Sequence, residues 1–172
     1  MSSINTILFD LDGTLLPIDG QTFERIYFSN LAKHFVDVYD AKTLIQLIWS
    51  ATKVMVKDTS DRTNEQVFME NLEALVGSDI TWMQDRFMHF YATDFDQLRT
   101  AVTPNSNVLE AVKILKEKGY QCVIVTNPMF PKIAIEKRIA WTGLNRDDFS
   151  YVTSFEKNTA CKPQLKLYEE VL

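Results

Sequence analysis

The sequence predicts an α/β fold in which a parallel sheet carries a large all-helical insertion, and three observations lead to that prediction. A short apolar run at residues 6–9 ends in two aspartates and a glycine, as a buried parallel strand does where it enters a loop. Between residues 17 and 100, apolar side chains recur at helical spacing. After Pro104, strand-like segments alternate with helix-length segments, which is typical of βαβ units and requires a parallel sheet.

The chain has the size and composition of a globular protein. Its 172 residues, 46% of them hydrophobic, can bury a core without disulfides or a structural metal. The 23 acidic and 18 basic side chains give a net charge of −5, which disfavours nucleic acid as a partner but allows a small anion to be held locally. No segment approaches the roughly 20 apolar residues of a membrane span. Cys122 and Cys161 indicate free thiols in a reducing compartment, so the sequence predicts a cytoplasmic protein.

The strand at residues 6–9 comes first along the chain, and the helical insertion follows it. We predict four amphipathic helices in the insertion, separated by polar clusters near residues 37–40, 57–64 and 77–79. The apolar positions that define the four helices are Phe23, Ile26, Tyr27 and Phe35; Leu44, Leu47, Ile48 and Ala51; Val67, Phe68, Leu72 and Leu75; and Met83, Phe87, Phe90 and Tyr91.

The elements after Pro104 alternate between helix and strand. They are a helix at 108–118 closed by Gly119, a strand at 121–126, a helix at 131–141 closed by Gly143, a strand at 151–153 and a last helix that begins near Pro163. The chain therefore divides into a discontinuous α/β core, residues 1–16 and 101–172, and a helical insertion at residues 17–100.

Two aspartates follow the first strand, at the carboxyl end where open α/β sheets place their ligand sites. Side chains two residues apart on a strand share a face, so Asp10 and Asp12 can face one pocket. Two close carboxylates need a shared cation or proton, and Mg²⁺ prefers such oxygen ligands together with phosphate substrates. Gly13 and Thr14 then supply a tight turn whose backbone N–H groups can cradle an anion. The alternative interpretation is that the aspartates simply end a strand and begin a turn.

Polar groups also follow the later strands. Thr126 and Asn127 end the second strand, and Lys162 stands just before the last helix. An acid pair, a hydroxyl and a lysine at successive strand-to-helix junctions are the groups that bind and neutralise a phosphoryl group. The sequence therefore predicts a phosphoryl-transfer site at the carboxyl ends of the strands.

These motifs resemble, in order and spacing, those of the haloacid dehalogenase-like hydrolase superfamily. The string DLDGT at residues 10–14 is similar to the family's first motif, Thr126 with Asn127 to its second, and Lys162 with Pro163 to its third. The resemblance extends over the whole chain, and the helical insertion resembles the family's cap. It implies a Rossmann-like parallel-sheet core with an all-helical cap domain.

The resemblance further implies a Mg²⁺-dependent phosphohydrolase that acts on a small phosphorylated metabolite. Asp10 is then the nucleophile that becomes an aspartyl phosphate, and Asp12 protonates the leaving oxygen and later activates water. Thr126 binds phosphoryl oxygens, and Lys162 balances the charge on nucleophile and phosphate. Asp10, the backbone carbonyl of Asp12 and later acids are the implied magnesium ligands. Dehalogenation is disfavoured, because family members with that chemistry need no acid at the position of Asp12.

Three alternatives stand beside the phosphatase. A sugar phosphomutase of the same superfamily shares both aspartates. A catalytically inactive, phosphate-binding regulatory relative is consistent with a missing set of metal-binding acids, although Asp10, Asp12, Thr126 and Lys162 argue against it. A phospho-accepting receiver domain also uses carboxylates, a hydroxyl and a lysine, but its acceptor aspartate lies on a later strand than its acid pair.

A further acidic motif, written GDxxxD, follows the third motif in this family, and the sequence has none before Leu172. We therefore expect that Leu172 is not the natural end of the functional protein and that C-terminal strands of the core are missing. Without those strands, the first strand becomes an apolar edge that bears the catalytic aspartates. Such an edge allows two copies of the chain to associate.

Overall fold

The computed structural model describes residues 4–172 and confirms the α/β prediction. Three strands form a parallel sheet in the order β1-β2-β3, with bounds β1 (Thr6–Phe9), β2 (Gln121–Ile124) and β3 (Tyr151–Val152). Phe9 lies opposite Ile124, and Ile124 lies opposite Val152. The carboxyl ends of the strands therefore coincide, and the loops that follow them lie side by side.

β1 is one of the two outer strands of the sheet that the structure describes. Cys122, Val123 and Ile124 of β2 are buried, whereas every residue of β1 has intermediate exposure. The prediction of a buried first strand is therefore wrong for the described chain, because β1 has a neighbouring strand on one side only.

The prediction of four helices in the insertion is confirmed. They are α1 (Gly20–Lys33), α2 (Ala41–Lys57), α3 (Asn64–Val76) and α4 (Thr81–Thr93), followed by a 3₁₀ helix at Phe95–Ala101. Asp19, Asp40 and Thr63 begin the first three helices, because the side chain of each accepts hydrogen bonds from backbone N–H groups of the first turn. Asp40 and Thr63 belong to the polar clusters that separate the predicted helices.

The later helices are α5 (Ser106–Glu117), α6 (Lys132–Thr142) and α7 (Leu165–Glu169), with a 3₁₀ helix at Arg146–Asp148. The alternation predicted after Pro104 is confirmed, but β2, β3 and α7 are shorter than the sequence pattern suggests. β2 ends early as a strand because the chain departs into the loop that carries Asn127, although the Val125 amide still donates to the Phe9 carbonyl at 2.7 Å.

The amino end of α3 anchors the insertion to the loops beyond the sheet. The Asn64 amide donates to the carbonyl of Asn158 at 2.9 Å, and the Glu65 amide donates to the carbonyl of Phe155 at 3.0 Å. The buried Asn64 side chain donates to the carbonyl of Pro128 at 3.0 Å. These bonds hold α3 over the carboxyl ends of the strands.

One apolar core runs from the insertion into the sheet. It includes Phe23, Leu44 and Phe87 of the insertion together with Ile124 and Val152 of the strands. Because this core is continuous, it marks no boundary between the insertion and the α/β core. The division into a cap at residues 17–100 and an α/β core therefore stays a prediction. Within the described residues, every helix is too short or too polar to cross a membrane.

Two glycines that end helices provide a test of the backbone geometry. Gly77 after α3 and Gly143 after α6 both have positive φ, at 75° and 90°. A Cβ at Gly77 would meet nothing within 4 Å, whereas one at Gly143 would approach two methyl carbons of Leu109 at 3.3 Å. We expect Gly77→Ala to lower the free energy of unfolding by about 1 kcal/mol through backbone strain alone, and Gly143→Ala by about 2 kcal/mol. Urea denaturation measures both, and equal losses would contradict the Leu109 contact.

Candidate active site

The structure brings together one residue from each of the three sequence motifs. Asp10 follows β1, and the Nζ of Lys162 lies 2.9 Å from its Oδ1. The backbone N–H of Lys162 donates to the Oδ1 of Asn127 at 3.1 Å. A half-exposed carboxylate therefore carries a lysine partner whose loop is fixed to the end of β2.

The predicted phosphate ligand Thr126 lies directly after β2 and is buried. Its backbone carbonyl accepts a hydrogen bond from the Oγ1 of Thr153 at 2.8 Å, which ties the loop after β2 to the loop after β3. Within residues 4–172 the hydroxyl of Thr126 makes no hydrogen bond. It is therefore available to a phosphoryl oxygen.

The carboxylate of Asp12 points to Arg138, a residue that the sequence analysis missed. The Nη1 of Arg138 lies 2.5 Å from the Oδ2 of Asp12, and the Arg138 side chain is only 1% exposed. Arg138 lies on α6 in phase with the buried residues Ile135 and Thr142. A charged residue at an apolar position of a helix was the signal that could have revealed it.

Arg138 is held by more than its ion pair. Its Nε donates to the carbonyl of Ala134 at 3.3 Å, and its guanidinium carbon lies 4.5 Å from the ring centroid of Phe130. Two polar atoms of the pair, the Oδ1 of Asp12 and the Nη2 of Arg138, are buried and have no partner among the described residues. An acceptor and a donor of this pair thus lack protein partners, which is unusual for buried groups and is commonly resolved by a bound water or ion.

The turn after Asp12 does not offer the amides that the sequence suggests. The Gly13 N–H donates to the Leu16 carbonyl at 2.8 Å, and the Thr14 N–H donates to the Leu11 carbonyl at 3.2 Å. Both amides are used to close the turn, which corrects the expectation that they cradle an anion. The N–H groups of Leu11 and Asp12, just before the turn, have no acceptor in the described chain and are the better candidates.

The predicted magnesium ligands fit the ion in part. Asp10 is paired through Oδ1 only, so its Oδ2 remains open to a cation. The backbone carbonyl of Asp12 accepts no hydrogen bond within residues 4–172, while its carboxylate is committed to Arg138. The described residues contain no cluster of three or more acidic, histidine or cysteine ligands. One carboxylate and one carbonyl are consistent with Mg²⁺, which completes its shell with water and substrate phosphate.

A cavity of about 570 Å³ opens onto the Asp12–Arg138 pair. Residues of α1 to α4 form most of its wall, and the segment Met129–Pro131 and Phe155 complete it. The insertion thus lies over the carboxyl ends of the strands.

The chain belongs to the haloacid dehalogenase-like hydrolases, because the family model of that description matches residues 4–172. No protein with a curated description matches the chain.

Solved structures of similar fold come from several bacteria. A predicted phosphoglycolate phosphatase from Haemophilus somnus is 18% identical with a TM-score of 0.53, and the match covers 99% of this chain and 71% of that protein. A HAD family enzyme from Bacteroides thetaiotaomicron is 15% identical with a TM-score of 0.50, over 99% of this chain and 77% of that one. The L-2-haloacid dehalogenase from Xanthobacter autotrophicus is 18% identical with a TM-score of 0.46, over 98% and 64%. At these identities the likeness to the first two, whose TM-scores are 0.53 and 0.50, shows the fold alone.

The buried pair of Asp12 and Arg138 should be strongly coupled in stability. Removing one member of a buried pair costs about 3–5 kcal/mol, and we expect Arg138→Met to cost about 3 kcal/mol because Asp12 is partly exposed. The double variant with Asp12→Asn should recover at least about 1 kcal/mol of that loss. A double-mutant cycle by urea denaturation measures the coupling.

The exposed pair of Lys132 and Glu136 on the same helix is the matched control. Lys132→Met should change the free energy of unfolding by less than about 0.5 kcal/mol. Strictly additive losses for Asp12→Asn and Arg138→Met would mean that the two side chains do not interact in solution.

Proposed function

We propose that this protein is a Mg²⁺-dependent phosphohydrolase that cleaves monoesters of small phosphorylated metabolites through an aspartyl phosphate. The observation that carries the proposal is the contact of Asp10 with Lys162 at 2.9 Å at the carboxyl end of β1. Membership of the hydrolase family supports it, and so does the unpartnered hydroxyl of Thr126. A carboxylate, an ammonium group and a hydroxyl are the groups that a phosphoryl transfer needs.

Asp10 is the proposed nucleophile. One of its carboxylate oxygens attacks phosphorus, the bond from phosphorus to the ester oxygen breaks, and an acyl phosphate forms. Lys162 offsets the negative charge that gathers on Asp10 and the phosphoryl oxygens. Thr126 and the amides of Leu11 and Asp12 donate hydrogen bonds to those oxygens in the proposed complex.

Asp12 is the proposed acid and base. It gives a proton to the leaving oxygen in the first step, and it accepts a proton from the water that hydrolyses the acyl phosphate in the second. Arg138 donates to its Oδ2, and the Asp12 side chain is 34% exposed. Arg138 is a positioning residue that fixes the rotamer of Asp12.

Mg²⁺ fits this scheme at the Oδ2 of Asp10 and the carbonyl of Asp12. When bound, the ion supplies positive charge that neutralises the phosphoryl oxygens. We expect chelation by EDTA to abolish phosphate release and added Mg²⁺ to restore it, while Ca²⁺ restores little because its longer ligand distances suit a different shell. Phosphate release assayed in metal-free buffer tests this, and full activity after exhaustive chelation would remove the metal from the proposal.

Substitution of the two aspartates separates their roles. Asp10→Asn should abolish phosphate release, since an amide cannot form the acyl phosphate, and Asp12→Asn should slow release about 10²–10⁴-fold. Asp147→Asn, an exposed acid far along the chain, is the control and should keep the rate of the wild type. Circular dichroism confirms that each variant is folded.

The products distinguish a phosphatase from the alternatives. A phosphomutase converts one sugar phosphate into its isomer without releasing phosphate, and an inactive relative binds phosphate without turnover. Unchanged turnover by folded Asp10→Asn would defeat the assignment of the nucleophile.

A further inference from the structure

The cavity beside Asp12 is much larger than a phosphoryl group requires. Its volume of about 570 Å³ lies within the ~300–1,000 Å³ typical of small-molecule sites. Asp12, the proposed donor of a proton to the leaving oxygen, forms part of its wall. The cavity therefore lies on the Asp12 side of the proposed site, into which the leaving group of a phosphate ester can extend.

The walls of the cavity are mainly aromatic and thioether side chains. Helices α1 to α4 and the loops after β2 and β3 all contribute such side chains. They include Phe23, Tyr27, Phe68, Met69, Phe130 and Phe155. Tyr27 adds no charge, because its hydroxyl shares a hydrogen bond of 2.8 Å with that of Tyr91 and burial raises the pKa of Tyr27 to about 12. Such walls favour an apolar ligand by about 25 cal/mol for each Å² of apolar surface buried.

The charges around the cavity are negative with a single exception. Arg138 is the one cation among the described lining residues, and Asp12 already compensates it. The other charged groups among the lining residues are the carboxylates of Glu24, Glu65, Asp85 and Glu156.

These carboxylates make the cavity unfavourable for a further negative charge. Glu156 is held at the amino end of α6, where its two oxygens accept from the Lys132 amide at 2.8 and 3.0 Å. Burial, and then the charge of Glu156, raise the pKa of Glu65 above its usual value. A carboxylate or second phosphate on the ligand would enter without a free cation and beside like charges.

We propose that the site selects phosphate monoesters whose leaving group is a large apolar group, of aryl size, without a second anionic group. The inference rests on the proposed phosphohydrolase function and names its substrate class. Small dianionic esters such as phosphoglycolate fill little of the cavity and carry the charge that it disfavours.

The first experiment compares kcat/KM of the full chain for 1-naphthyl phosphate and phosphoglycolate. We expect 1-naphthyl phosphate to be preferred at least about 10-fold, which corresponds to an activation free energy lower by about 1.4 kcal/mol. Part of this difference reflects the better leaving group, so the binding titration and the cation variants test the cavity itself. Preference for phosphoglycolate would overturn the substrate class and leave the phosphohydrolase in place.

A binding measurement separates the two proposals if turnover is absent. Calorimetric titration of the Asp10→Asn variant with each ester measures the affinity of the site for that ester in the absence of turnover. Tighter binding of 1-naphthyl phosphate with no turnover by the wild type would defeat the phosphohydrolase and support the ligand class. Equal or weaker binding of 1-naphthyl phosphate would overturn the ligand class.

A cation placed in the wall should weaken the selection. Met69→Lys places an ammonium group on the partly buried face of α3. This variant should lower the preference for 1-naphthyl phosphate over phosphoglycolate by about 10-fold. Leu75→Lys, on the exposed face of the same helix, is the control and should leave the preference unchanged. Trp49→Arg is the second variant, because Trp49 lines the cavity and is 40% exposed, so its replacement is compatible with folding. An unchanged preference in both folded variants would show that the charge of the ligand does not affect its selection by the cavity.

Discussion

Arg138 and Asp12 meet inside the protein, and the arrangement of the site follows from what each needs. A guanidinium buried to 1% exposure requires a carboxylate, an acceptor along its own helix and a surface to stack on, and it finds these in Asp12, Ala134 and Phe130. The turn after β1 is therefore tied to α6, which begins one loop beyond β2. Because an unpaired charge at that depth is strongly unfavourable, the rotamer of Asp12 is set by the core rather than by solvent.

The two aspartates have different partners, although they belong to one short motif. Asp10 is half-exposed and faces Lys162, a compact charge on a flexible stem. Asp12 faces the planar guanidinium of Arg138, which donates to its Oδ2, while its Oδ1 is buried without a partner in the described chain. The elements packed against the motif thus give its two carboxylates different surroundings, and the nucleophile and acid/base roles proposed for them rest on that difference.

The sequence was sufficient to place Asp10 beside Lys162, because parallel strands with successive helices force their carboxyl ends to one edge. It was insufficient for Arg138, since a single charged residue in the apolar phase of α6 does not say which acid it meets. The amides of Gly13 and Thr14 were misassigned because turn composition does not reveal that Leu11 and Leu16 supply the closing carbonyls. Tertiary contacts determine which groups become hydrogen-bond or ion-pair partners, and local sequence patterns contain little information about those contacts.

Asn64 couples α3 to the two loops that carry Asn127 and Lys162. Its side-chain amide donates to the carbonyl of Pro128, one residue beyond Asn127, and lies 3.5 Å from the Sγ of Cys161, the neighbour of Lys162. Lifting the amino end of α3 must strip this buried amide of its acceptors, at a cost of about 1–3 kcal/mol, and must disturb both loops. The stability of α3 and of the two loops is therefore shared, so a substitution that loosens one of the three loosens the other two.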